Sequence, residues 1–188
     1  MKHIKLFESF GTTVVYRGSK YEDDKFEYKN MGWEAIKSQE GPGFYFTDTE
    51  KLAKAYGKVK AYTLDIQHPL VLDYRKNTHI ITKEQAVELY SGSEYKYFYD
   101  EWIPFYTGIN MENFSEKERV EAYIDKLHKQ GDLEILKNLK RAYKAEGYET
   151  MMNKMSDVLG YDGVIVSIEN NMTVYVAWRP EQIKRLDK

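Results

Sequence analysis

Gly41-Pro42-Gly43-Phe44-Tyr45-Phe46-Thr47-Asp48, followed at once by Thr49-Glu50-Lys51-Leu52-Ala53-Lys54-Ala55-Tyr56-Gly57, decides how the chain is read. Gly-Pro-Gly cannot continue a helix, so the apolar, aromatic residues 44–47 are expected to form a short strand. Asp48 or Thr49 offers a side-chain oxygen to cap a following helix. Leu52, Ala53, Ala55 and Tyr56 are its apolar residues, and Gly57 closes it.

Upstream, residues 12–16 are rich in β-branched side chains and end at Arg17-Gly18-Ser19, which predicts a strand running into a turn. Residues 19–40 read as loop with a short helix near 31–37. Downstream, residues 59–66 alternate as a strand that breaks at Pro69 and continues through 70–72. Thr82 with Gln85, and Ser115 with Glu118, have the spacing of capping boxes and open two helices. Further helices are expected over 133–145 and 148–159, the last ended by Gly160. Residues 91–113 are aromatic and irregular. Residues 164–168 and 173–178 read as a hairpin turned at Asn170-Asn171. The pattern is α+β, one domain over residues 1–188, with a helical block over 83–159 and short strands on either side of it. Residues 1–10 place Ile4, Leu6, Phe7 and Phe10 on one side of a leader or docked helix.

Composition narrows the classes. The chain has 188 residues, 42% of them apolar, with 17 tyrosines, which is enough for a sizeable core. The formal net charge of −2 gives no global reason to bind nucleic acid, though an average conceals local patches. There are no cysteines, so thiol chemistry and disulfides are excluded. No run of about 18 apolar residues is present to span a membrane. His3, His68, His79 and His128 lack paired ligand spacing, so no metal site is expected.

Three segments then resemble the ADP-ribosyltransferase fold, and within it the poly(ADP-ribose) polymerase-like and phage-encoded members. Tyr16-Arg17-Gly18-Ser19 is similar to the first motif, an aromatic followed by His or Arg, then Gly and Ser or Thr. Gly43 to Asp48, with Lys51, Ala53, Ala55 and Tyr56, is similar to the second. Tyr161-Asp162-Gly163-Val164-Ile165 with Tyr175-Val176-Ala177-Trp178-Arg179-Pro180 is similar to the third. The resemblance implies a split β-sheet core with the helical block inserted between the second and third motifs. It also implies that NAD is the substrate and a host protein or nucleic acid the acceptor of a single ADP-ribose.

Under that resemblance Tyr16, Arg17, Gly18, Ser19, Tyr45, Thr47 and Tyr56 form the NAD site. Gly18 offers bare backbone to the nicotinamide amide, and Arg17 a planar fork for phosphate or ribose oxygens. Ser19 and Thr47 face ribose hydroxyls, Tyr45 stacks on the nicotinamide, and Tyr56 flanks it. An oxocarbenium-like state normally needs a carboxylate on the ribose. Val174 stands where the resemblance expects that glutamate, and Met172 where some members have a second acid or amide. Glu169 is then the catalytic candidate beside Tyr45, or else the acceptor brings its own carboxylate.

Plainer readings stay open beside these: Arg17 as a solvated cation, Gly18 as a turn residue, Tyr45 as core, Tyr56 as helix-face packing. With Val174 in place, a degenerate module that binds NAD, ADP-ribose or a protein is the alternative function. Residues 1–10 also resemble short leaders on proteins of tailed bacteriophages, which points to action in the host cytoplasm or carriage in a virion.

Overall fold

A computed structural model of the protein describes residues 13–20, 25–30, 40–168 and 171–186. The expected helices over 1–10 and 31–37 lie outside these residues. Seven strands are found: β1 (Val14–Ser19), β2 (Phe44–Thr47), β3 (Lys58–Leu64), β4 (Pro69–Asp73), β5 (Gly163–Ser167), β6 (Thr173–Ala177) and β7 (Ile183–Arg185). They hydrogen-bond in the order β4-β5-β6-β2-β1-β3-β7. Only β4 and β5 run parallel.

The register shows where this sheet is split. β1 pairs with β3 along all six of its residues, from Val14↔Thr63 to Ser19↔Lys58. With β2 it shares one pair, Tyr16↔Thr47. The sheet is thus two paired halves, β4-β5-β6-β2 and β1-β3-β7, joined at a seam one pair long. The split sheet and the α+β class are those the sequence led one to expect.

Between β4 and β5 the chain leaves the sheet for the helical block: α2 (Lys83–Tyr90), α3 (Ile103–Thr107), α4 (Glu116–His128), α5 (Asp132–Ala142) and α6 (Tyr148–Leu159). Both capping boxes form, Thr82 with Gln85 and Ser115 with Glu118. They satisfy backbone donors that the first helical turn leaves unpaired. α6 ends where Gly160 takes φ 73°, a left-handed cap that glycine adopts without steric cost.

Alternate strand residues Leu70, Leu72, Val164, Val166, Val174 and Val176 are buried and share one face by register. They join the apolar sides of α2, α4, α5 and α6 in a single core. The opposite face carries Val15, Phe44, Phe46 and Tyr62. Phe26 covers it, its ring centroid 5.5 Å from Phe44 and 5.4 Å from Tyr62, both edge-on.

Three expectations change. Residues 70–72 do not continue the strand before Pro69: β4 is a separate strand at the far edge of the sheet, five positions from β3 in the order. The two are parted by a turn held by Asp162, whose carboxylate accepts from Gln67 N at 2.8 Å and His68 N at 2.9 Å. The helix after β2, α1 (Glu50–Lys54), is shorter than expected and stops before Tyr56. The aromatic stretch 91–113 is not irregular throughout, because a π-helical turn (Phe98–Trp102) leads into α3.

Candidate functional site

The motif residues converge on the seam. α1 lies across β1, and the reason is visible at Gly18: a Cβ there would sit 1.9 Å from the Ala53 carbonyl oxygen and 3.1 Å from Tyr56 Cβ. Any side chain would push α1 off the strand. The missing side chain therefore serves helix packing directly, and the same packing stations Tyr56 beside Gly18. Tyr56 is 65% exposed, so the plainer reading of it as helix-face core does not hold. It sits in the turn beyond α1, where its ring meets solvent.

Register places Ala61, Tyr16, Thr47, Val174, Val166 and Leu72 in one row across five adjacent strand pairs, sharing a face. Tyr16 and Thr47 meet across the seam, and Val174 is the next residue along. This row contains no carboxylate. Ser19, at the end of β1, is buried, with its carbonyl packed against Gly57, where a Cβ would lie 2.5 Å from that oxygen. Glu169 lies outside the described residues.

Arg17 and Tyr45 brace the seam. Arg17 points to the aromatic face, its guanidinium carbon 5.5 Å from the Phe26 ring centre and 5.9 Å from Phe46. Its Nη1 donates to the Tyr45 carbonyl oxygen at 3.1 Å, tying β1 to β2 where register pairing has ended. The half-buried Tyr45 donates its hydroxyl to the Gly41 carbonyl, closing the Gly-Pro-Gly turn on the strand it introduces. Gly43, at φ 149°, passes so close to β6 that a Cβ would lie 2.2 Å from Val176 Cγ1.

One residue that sequence reading treated only as a helix cap has a larger part. Asp48 Oδ1 accepts from Thr49 Oγ1 at 3.2 Å, Thr47 Oγ1 at 3.4 Å and the Thr173 backbone N–H at 3.1 Å. The Asp48 N–H in turn donates to Thr173 O at 3.3 Å. Asp48 thus clips the end of β2 to the start of β6, next to Val174. The Tyr175 phenol is pushed up by burial, and the Asp48 charge adds to the shift. Thr49 occupies the N-cap position of α1 without a side-chain cap bond, and its own N–H donates to Thr47 Oγ1 at 3.2 Å. The Thr-Asp-Thr triplet was the available signal, but its partner on β6 is 125 residues away.

Two cavities lie away from this row. One of about 20 Å³ is lined by Val15, Leu64, Ile165 and Tyr175 on the opposite face. The other, an open groove of about 290 Å³, runs along the helical block beside Ile109, Ala122 and Lys126. His79 and His128 pack with ring centroids 5.2 Å apart. Among the described residues no three His, Asp or Glu side chains converge as metal ligands. No described helix is long and apolar enough to cross a membrane.

A family model described as ADP-ribosyltransferase in polyvalent proteins matches residues 11–188. No curated protein and no solved structure matches the chain.

Proposed function

Because the chain belongs to the ADP-ribosyltransferases of polyvalent proteins, we propose that it binds NAD at the seam and transfers one ADP-ribose to a macromolecular acceptor. ADP-ribosyltransferases as a class use NAD as substrate. The observation that supports the reading is the parting of β1 from β2 after Tyr16↔Thr47, at the place where α1 packs on Gly18 and sets the exposed Tyr56 beside it.

In this reading Gly18 backbone pairs with the nicotinamide amide while Tyr56 and Tyr45 flank the ring. Thr47 and Tyr16 line the ribose side, while Ser19, buried and by alternation on the face of Arg17, reaches the ribose only from the end of β1. Arg17 contributes chiefly by holding the lip of the cleft, since its guanidinium already serves the Tyr45 carbonyl and two aromatic rings. The bond from nicotinamide nitrogen to ribose C1′ breaks, and nicotinamide leaves with the bonding pair. A nucleophilic atom of the acceptor bonds to C1′ and gives up its proton to solvent or a nearby base. The positive charge on the ribose needs a carboxylate, and the row at the seam has Val174 instead. Glu169 or a carboxylate of the acceptor completes the site. A phage source, and delivery into a host cytoplasm, belong to the same reading.

Val174 favours a second reading, in which the chain binds NAD or ADP-ribose without turnover. Nicotinamide release by the purified chain, with mass spectrometry of a bacterial lysate, separates the two. ADP-ribose added to a lysate protein, at a rate reduced roughly 2- to 10-fold in Tyr56→Ala, supports transfer, in line with the loss of one aromatic stack. A rise in Tm with NAD but no release supports the binder, and Val174→Glu should then create release. Neither release nor a rise in Tm at millimolar NAD overturns both readings, because a ligand of the native state must stabilise it.

A further inference from the structure

The helical block carries a surface that the NAD reading does not use. Trp102 lies at its centre, with ring centroids 5.8 Å from Phe105 and 6.1 Å from Tyr106. Phe105 is 79% exposed on α3, an unusual place for a phenyl ring. Cations sit on the faces of these rings. The Arg141 guanidinium carbon is 3.9 Å from the Trp102 ring centre, and Lys126 Nζ is 4.8 Å from that of Tyr106. A chain of cation, ring, ring, cation therefore runs from α4 across α3 to α5.

Neighbouring acids are already neutralised by other cations. Asp125 pairs with Lys83 at 2.6 Å, Glu134 with Lys137 at 2.7 Å, and Asp100 with Arg119 at 2.6 Å. Among the described residues no carboxylate lies within ion-pairing distance of Lys126, Lys140 or Arg141. Glu101 remains as the exposed acid at the edge. The Lys140 amine is pushed down to about 8 by partial burial, with the charges of Arg141 and Lys137 adding to the shift. Lys126 and Arg141 are thus cations beside aromatic rings with no carboxylate partner among the described residues. The open groove beside Ile109 shares Lys126 with this surface and adds Lys129.

We propose that this surface of α3, α4 and α5 binds single-stranded nucleic acid, with bases stacked on Phe105 and Trp102 and phosphates held by Lys126 and Arg141. Single strands offer what the surface needs together, a repeating anion and flat unpaired ring faces. An acidic peptide would satisfy the cations and leave Phe105 in water, whereas a duplex buries its base faces in its own stack. The inference does not depend on NAD turnover.

The test is fluorescence anisotropy with labelled single strands of about twelve nucleotides, DNA and RNA, at about 50 and 200 mM salt. The protein should bind, with affinity falling as salt rises. Arg141→Gln and Lys126→Gln should each weaken binding and reduce the salt slope by about 0.7. Phe105→Ala should weaken it roughly 5- to 100-fold with the slope unchanged, as loss of one base stack does. Phe105 is so exposed that its removal should leave the Tm intact, which thermal melting checks. No binding at low salt, or binding indifferent to all three substitutions, overturns the proposal. Competition by charge-matched polyglutamate as strong as by the oligonucleotide overturns it in favour of an acidic protein partner. Self-association lost in Phe105→Ala, without oligonucleotide binding, overturns it in favour of a second copy.

Discussion

The β4-β5-β6-β2 half of the sheet is paired over four or five residues at each of its strand contacts and shares a continuous core with four helices. The β1-β3-β7 half is paired internally over six and three residues, yet its ladder to its neighbour is one register pair. That pair is supplemented by the bond from Arg17 to Tyr45 and by ring packing of Phe46 on Tyr62, with centroids 5.3 Å apart. The contrast separates two kinds of work. Backbone pairing is concentrated in the first half, while the motif residues gather where pairing gives out and rings take over the joining. Strands that diverge keep backbone and side chains available that a continuous sheet would consume.

The contrast can be broken by mutation. Phe98 is fully buried in the helical block, within 5.5 Å of Tyr123 and 5.9 Å of Tyr90 by ring centroids. Phe98→Ala should cost about 3–5 kcal/mol in urea unfolding, the usual range for a buried aromatic. The molecules still folded should keep their full NAD-induced rise in Tm; loss of that rise would join the two regions. Gly18→Ala is the converse case. Its methyl would collide with the Ala53 carbonyl, so the expected cost is about 1–3 kcal/mol from overpacking. The NAD-induced rise should vanish as α1 and Tyr56 are displaced, and a normal rise would show that the seam is not the site.

The smallest effect concerns pH. Lys140 is pushed down to about 8 from 10.5, so between those values the unfolded chain binds more protons than the folded one. Stability therefore rises with pH across that window, by about 1 kcal/mol at most once solvent screening of a half-exposed amine is allowed for. Tyr28, pushed up to about 12 by burial with Glu181 adding, acts in the opposite sense above pH 10, so urea titrations should stop there. Lys140→Gln should flatten the rise without touching the seam.

What the sequence made legible was local. Capping boxes at Thr82 and Ser115 and the glycine at 160 announce helices whose starts or ends the structure keeps, because those signals act within one turn of backbone. The hairpin of β5 and β6 was similarly near in sequence. Long-range partners were not legible. Pro69 marks an interruption, but nothing local says that the next strand crosses to the other edge of the sheet. The Thr47-Asp48-Thr49 triplet gives no hint of Thr173, and Arg17 does not announce which face of β1 its side chain takes. The exposure of Tyr56 was not legible either, because it depends on α1 stopping at Lys54. Tyr16 and Thr47 meet across the seam and Tyr56 lies beside Gly18, while the cations that α4 and α5 lay against the rings of Tyr106 and Trp102 come from further along the chain.

β4 and β5 are parallel neighbours, and parallel neighbours oblige the chain to leave the sheet and return to the same end before pairing again. Every residue from Tyr74 to Asp162 belongs to that excursion. Those of the seam are encoded before Lys58 or after Ser167. The surface proposed to hold a nucleic-acid strand and the seam proposed to hold NAD therefore lie on separate stretches of sequence, coupled only through the core that β4, β5 and β6 share with the helices.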